Sequence, residues 1–307
     1  MSLAPIGVST YSRVNHLKQT IESLQKNTLA KESELYIFSD AARPGDEKKV
    51  KKVRDYIYTI DRFKKVHIIE RESNSRVFNN RDGIRQLLDE HGKIIFMEED
   101  IVTAPGYLQF MNDALEFYKN KEGVFSVTGY MPPINIPLEY SADVIAMYRF
   151  NGWGFGIWKN RYKELINTNI LDIDLTKIDR KKMDAHGSDI YYMLKKVCSG
   201  ALDALDVRAM YLGYLNDYIT IHPKKSLVRN IGHDGSGLHC GVSNKFDHDV
   251  LWNKTKDFEF VISPQVDKEI ISSNFKFRSL TVKRRVADFA RKIGVYPMLK
   301  LLKDKIK

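Results

Sequence analysis

Lys93-Ile94-Ile95-Phe96-Met97-Glu98-Glu99-Asp100 is the stretch whose reading decides the fold. Ile94 to Met97 is an unbroken apolar run, too short for a helix, and lacks the polar alternation of a half-exposed strand. It reads as a strand buried on both faces, the kind found in parallel sheets between two helical layers. Gly92 stands just before it, where the C-cap of a preceding helix belongs. Three carboxylates stand at its end, and open α/β sheets bind ligands beyond the carboxyl ends of their strands.

Working outward, short β-branched runs alternate with helical periodicity. Pro5 to Ser9 predicts a strand, and Val14, Leu17, Ile21 and Leu24 recur at helical spacing after it. Leu35 to Phe38 predicts a second strand ending at Ser39-Asp40, with a helix carrying Val50, Val53, Ile57 and Ile60. Val66 to Ile69 predicts a third strand, and Asn79 to Glu90 the helix leading to Gly92. Downstream, a helix is expected from Pro105 to about Asn120, a strand over Val124 to Thr128, a helix near Ser188 to Cys198 and a strand over Ile219 to His222. Residues 129 to 160 are rich in Gly, Pro and aromatics and read as loops, as does Asn230 to His239. The pattern predicts an α/β fold with a mostly parallel sheet flanked by helices.

The chain has 307 residues, 43% hydrophobic and 29% charged, which excludes disordered and low-complexity classes. No apolar run approaches the ~20 residues of a spanning helix, and the N-terminus lacks the pattern of a signal peptide. Two cysteines, Cys198 and Cys240, exclude a disulfide framework, so a cytoplasmic protein is expected. The net charge of +10 is confined: residues 276 to 307 carry 11 basic and 2 acidic residues, leaving +1 for the rest. A neutral body argues against a nucleic-acid platform.

The ordered set of motifs resembles a glycosyltransferase of the GT-A fold. Pro5-Ile6-Gly7-Val8-Ser9-Thr10-Tyr11-Ser12-Arg13 looks like the nucleotide-binding start of family-two-like transferases, and Phe38-Ser39-Asp40 like the second-strand end. Phe96-Met97-Glu98-Glu99-Asp100 looks like the DxD element in the acidic form of N-acetylglucosaminyltransferase I-like enzymes. His222 to Cys240 resembles the end of the catalytic domain in bacterial surface-polysaccharide transferases. The triplet departs from Asp-x-Asp, and the Gln-x-x-Arg-Trp element of processive synthases is absent from the sequence.

The resemblance implies an enzyme that moves a sugar from a nucleotide-diphosphate donor to a glycan or lipid-linked glycan acceptor, inverting the anomeric centre. Mn²⁺ or Mg²⁺ is the implied cofactor, with Asp100 and His239 as candidate ligands. Thr10, Tyr11, Arg13, Asp40, Arg76, Arg81, Glu98, Glu99 and Trp153 are the candidate nucleotide-sugar contacts. Asp203 is the leading candidate for the base that deprotonates the acceptor, with Asp206 and Asp189 as rivals. Bland readings stand beside these: an acidic cap on the helix after Pro105 for the triplet, a turn for Ser39-Asp40, solvated arginines, and core packing for the tryptophans, preferred for Trp158 but not for Trp153.

Two domains are expected, a GT-A domain over 1–275 and a basic tail over 276–307. In the tail Val282, Val286, Phe289, Ala290 and Ile293, then Met298, Leu299, Leu301, Leu302 and Ile306, recur at helical spacing among lysines and arginines. Such segments bind anionic membrane surfaces, which predicts a peripheral position at the inner face of the membrane. A helix packed on the domain or on a partner is the other reading. Two further functions remain open: a nucleotidyltransferase, disfavoured because Ser9 to Arg13 supplies no Gly-rich basic loop, and a non-enzymatic membrane adaptor driven by the tail.

Overall fold

The computed structural model describes residues 2–137, 140–170, 172–236, 242–247 and 251–279. Parallel strands β1 (Ile6–Thr10), β2 (Glu34–Ser39), β3 (Lys65–Glu70) and β4 (Lys93–Glu98) alternate with helices α1 (Val14–Gln25), α2 (Glu47–Ile57) and α3 (Arg76–His91). Strand β5 (Ile101–Thr103), helix α4 (Tyr107–Tyr118) and strands β6 (Val124–Thr128), β7 (Val144–Met147) and β8 (Phe155–Trp158) follow. Helices α5 (Lys159–Asn167), α6 (Arg180–Asp184), α7 (Ile190–Cys198) and α8 (Leu205–Asn216) lead to β9 (Ile219–Pro223), β10 (Val228–Asn230) and α9 (Lys268–Arg278).

Eight strands form one sheet in the order β3-β2-β1-β4-β8-β6-β9-β7. Strands β3, β2, β1 and β4 pair in parallel, as do β6 and β9, while β8 and β7 run antiparallel to their neighbours. This is the mostly parallel, helix-flanked α/β architecture expected from the sequence. Strand β5 pairs instead with β10 in a separate antiparallel ribbon.

Strand alternation divides the core. Ile6, Val8, Leu35, Ile37, Ile95 and Met97 pack with Leu17, Ile21, Leu24 and Met111 on one face. Tyr36, Phe38, Ile94 and Phe96 pack with Ile84, Leu87, Leu88 and Val207 on the other. Helix α3 closes at Gly92, whose φ of +76° lets its amide return to the Leu88 carbonyl.

Several boundaries differ from expectation. Helix α3 begins at Arg76, capped by the Ser75 hydroxyl, which accepts from the Phe78 amide. Residues 129 to 160 contain β7 and β8, and 230 to 239 begins inside β10. The expected domain boundary at 275/276 falls inside α9. No helix among the described residues is long and apolar enough to cross a membrane. The apolar positions expected to form the tail helices lie outside the described residues.

Candidate active site

The acidic triplet does not project as a unit, because a strand sends successive side chains to opposite faces. Glu98, in phase with Ile94 and Phe96, turns towards α3, where Asn80 Nδ2 donates to it at 3.0 Å and the Arg76 guanidinium lies 3.8 Å away. Glu99, in phase with Ile95 and Met97, turns towards the β1–α1 connection. It accepts the Tyr11 amide at 2.6 Å and Arg13 Nε at 2.8 Å, and its carbonyl accepts the Thr20 hydroxyl. Asp100 starts the turn into β5, and its Oδ2 accepts Arg13 Nη2 at 2.7 Å.

Glu99 and Asp100 are 6% and 7% exposed. Burial raises the Glu99 carboxyl above the usual range, against Arg13, which pulls it down. Burial also opposes the Arg13 charge, but Asp100 and Glu99 outweigh it and raise that guanidinium further. For Glu98, surrounding protein and then Asp100 raise the carboxyl, while Arg76 and Asn80 lower it.

The neighbouring loops lock onto this cluster. The Ile231 amide donates to the Asp100 carbonyl at 2.9 Å, and Gly232 presses on the carboxylate. Trp153, half-buried, sits edge-on to Tyr130, His233 and Phe246, with its amide on Asn151 Oδ1. Trp158 is core, donating from Nε1 to the Leu115 carbonyl.

At the end of β2, Asp40 is 2% exposed and both its oxygens are engaged: Oδ1 accepts the Ala41 and Ser75 amides, and Oδ2 accepts Asn74 Nδ2. It thus pins the start of α3 beside Tyr11, whose hydroxyl donates to Asp46. Thr10 is buried at the end of β1. Sequence reading gave no role to Asn79 and Asn80, yet Asn79 is buried and bonds Ser9 Oγ and the Phe38 carbonyl, while Asn80 reaches Glu98. Consecutive asparagines inside a helix disfavour the helix, and that was the available signal.

The three candidate bases have different surroundings. Asp203 is held by Arg81 at 2.5 Å, with Arg208 Nε 3.7 Å away. Arg81 is therefore spent on Asp203. Asp189 takes both Nη atoms of buried Arg149, at 2.6 and 3.1 Å; burial raises its carboxyl, but Arg149 and Arg278 more than compensate and hold it below the usual range. Asp206, in the first turn of α8, accepts the Val207 amide at 2.9 Å. Burial raises its carboxyl although Arg149 opposes the shift. Arg149 and Arg278 are the parts of this second cluster that sequence reading did not single out.

A divalent ion would find one suitable oxygen here. Among the described residues Asp100 Oδ1 is buried without a hydrogen-bond partner, whereas Oδ2 and Glu99 are turned to Arg13. No group of three metal-ligating side chains converges among the described residues, and His239 lies outside them. A single carboxylate still fits Mg²⁺ or Mn²⁺ chemistry, because such ions take one or two protein carboxylates and complete their shell with substrate phosphates and water.

No family model and no curated protein sequence matches the chain. Among solved structures it is similar to S. aureus TarS 1-349, at TM-score 0.42 and 14% identity over 74% of this chain and 59% of that one. TarS 1-349 in complex with UDP-GlcNAc gives 0.42 and 14%, covering 74% and 57%. The mannosyltransferase PcManGT from Pyrobaculum calidifontis, in complex with GDP-Man and Mn²⁺, gives 0.35 and 10%, covering 54% and 47%. The chain thus spans less than two thirds of the length of each of these, and all three likenesses are distant.

Proposed function

We propose that this protein is a nucleotide-sugar-dependent glycosyltransferase, inverting and metal-dependent, acting in surface-glycan assembly. The observation that carries the proposal is the buried Arg13-Glu99-Asp100 cluster at the carboxyl ends of β1 and β4, with an Asp100 oxygen unpartnered among the described residues. A paired guanidinium and carboxylates at that edge of a parallel sheet suit a ligand that brings both phosphate and a cation. The ordered sequence motifs support the same reading.

In this account Tyr11 and the Asp40-pinned loop border the nucleoside, and Arg76, 45% exposed at its side chain and only 3.8 Å from Glu98, is accessible to phosphate oxygens. Asp100 would hold the divalent ion, which when bound would offset charge on the leaving diphosphate. Trp153 offers a half-buried ring edge to a sugar.

Among the bases, Asp206 replaces Asp203 as the best candidate. Asp203 and Asp189 each hold an arginine, whereas the hydrogen bond that the Asp206 carboxylate accepts among the described residues comes from its own helical turn. Its raised carboxyl suits proton capture from a hydroxyl. The acceptor oxygen attacks the anomeric carbon, its proton passes to the Asp206 carboxylate, and the bond to the diphosphate breaks.

The basic 276–307 segment would hold the enzyme at an anionic membrane where lipid-linked acceptors are presented, on the cytoplasmic side. Calorimetric titration of UDP, GDP and their sugars, with and without Mn²⁺, tests the proposal. Binding of one nucleotide series is expected; binding of none favours the membrane-adaptor reading.

A further inference from the structure

We propose that Arg13 is a built-in counter-cation that competes with the divalent ion at Asp100, so that the ion binds weakly until a nucleotide diphosphate brings compensating negative charge. The inference rests on the metal-dependent reading above and adds to it a residue that couples the two ligands.

Adjacent carboxylates buried in one place repel each other unless a cation lies between them. Here the chain supplies one. Arg13 spans both groups with separate nitrogens, Nε on Glu99 Oε1 at 2.8 Å and Nη2 on Asp100 Oδ2 at 2.7 Å. Its side chain is 21% exposed, so screening by solvent is limited.

Two atoms of the cluster remain unsatisfied. Asp100 Oδ1 and Arg13 Nη1 are both buried without hydrogen-bond partners among the described residues. Buried polar atoms in that state ask for a ligand. Oδ1 asks for a cation and Nη1 for an anion, the complementary pair that a metal-bound diphosphate contains.

A cation on Oδ1 would share one carboxylate with the guanidinium on Oδ2. The two positive charges would then lie a few ångströms apart in a poorly hydrated place, where like charges repel strongly. Without nucleotide, the fixed guanidinium should therefore keep the ion weakly bound. Phosphate oxygens near Nη1 and the ion would relieve that repulsion, so metal and nucleotide would reinforce each other's binding by the same factor.

The test is a Mn²⁺ titration of the full chain followed by electron paramagnetic resonance, with and without UDP or GDP. The wild type should bind Mn²⁺ weakly alone and markedly tighter with the nucleotide. Arg13→Gln should bind Mn²⁺ alone roughly ten-fold tighter than wild type, losing most of the coupling to nucleotide. Arg13→Lys, which keeps the charge, should stay near wild type, and Asp100→Asn should abolish the site.

Arg13→Met, which keeps the aliphatic stem, replaces Arg13→Gln if the latter fails to fold. Equal or weaker Mn²⁺ binding by the neutral variants would overturn the proposal and make Arg13 a scaffold for Asp100. Nucleotide binding without Mn²⁺ binding to any variant would also overturn it, yet leave the nucleotide-sugar reading standing. Tighter Mn²⁺ binding by Arg13→Gln with no nucleotide bound would support it and count against that reading.

Discussion

Gly232 is pressed against Asp100 so closely that a methyl group added to it would lie 2.9 Å from the carboxylate carbon. The two are held together by the Ile231 amide on the Asp100 carbonyl and by pairing of β5 with β10. Asp100 has little room to yield, since Arg13 grips the same carboxylate oxygen, Oδ2, that the added methyl group would meet first. Gly232→Ala should cost about 1–3 kcal/mol of stability, as overpacked sites do. It should also weaken nucleotide binding in the presence of Mn²⁺. Thermal unfolding and calorimetric titration of one protein sample check both.

The three aspartates separate by what each variant loses. Asp206→Asn should lower kcat by roughly 100-fold or more with donor affinity kept, as loss of a general base does. Because the Asp206 carboxyl is raised, wild-type kcat should fall as pH drops through a value above the ordinary carboxylate range of about 4. Asp189→Asn should instead destabilise the fold by about 3–5 kcal/mol by stranding buried Arg149. Asp203 is 43% exposed at its side chain, so Asp203→Asn should change stability by under about 1 kcal/mol. A large kcat loss in Asp203→Asn alone would return the base to that residue.

How far the sequence reaches is visible in particular residues. The run Ile94 to Met97 foretold a doubly buried strand because its neighbours β1 and β8 and both helical layers leave it no exposed face. The divergence of Glu98 and Glu99 followed from the same strand parity and was available in principle. Strand β8, Phe155-Gly156-Ile157-Trp158, was hidden because glycine and aromatics read as loop, although all four residues are buried. Helix α8 was hidden because it packs against α5, α6 and α7, so its apolar residues form no single stripe. The Arg13 clamp and the Arg149–Asp189 pair join residues 86, 87 and 40 positions apart, and such pairings are set by tertiary packing alone.

Stability should also rise with pH across the range in which His186 titrates in the unfolded chain. His186 is 1% exposed and burial lowers its pKa to about 4, against the Tyr148 carbonyl, which raises it. Unfolded, it binds a proton near pH 6.5. Between these values the unfolded state holds more protons, so acidification from about 6.5 towards 4 favours unfolding. His186→Gln should flatten the pH dependence of Tm over that window relative to wild type. An unchanged profile would mean that His186 takes its proton within the fold.

Truncation after residue 279 keeps α9, including Arg278, which lies among Arg149, Asp189 and Asp206. The shortened protein should lose binding to anionic vesicles and retain transfer to a soluble acceptor. Salt should mimic the loss in part, since charges reach only about 8 Å at physiological ionic strength. Leu301→Ser with Leu302→Ser should weaken the fraction that resists salt. Vesicle co-sedimentation reads all three. Loss of activity on soluble acceptors would make the segment part of the folded enzyme.

Under the proposed function, the β1–β4 edge would turn over a nucleotide-diphosphate sugar through Asp100. The most direct measurement is release of nucleoside diphosphate from a panel of UDP-, GDP- and dTDP-sugars with Mn²⁺, comparing wild type with Asp100→Ala. Release is expected from one donor series, stimulated by acceptor glycan and lost in Asp100→Ala while the Tm stays close to wild type. Release from no donor, or undiminished release by Asp100→Ala, would contradict the proposed function.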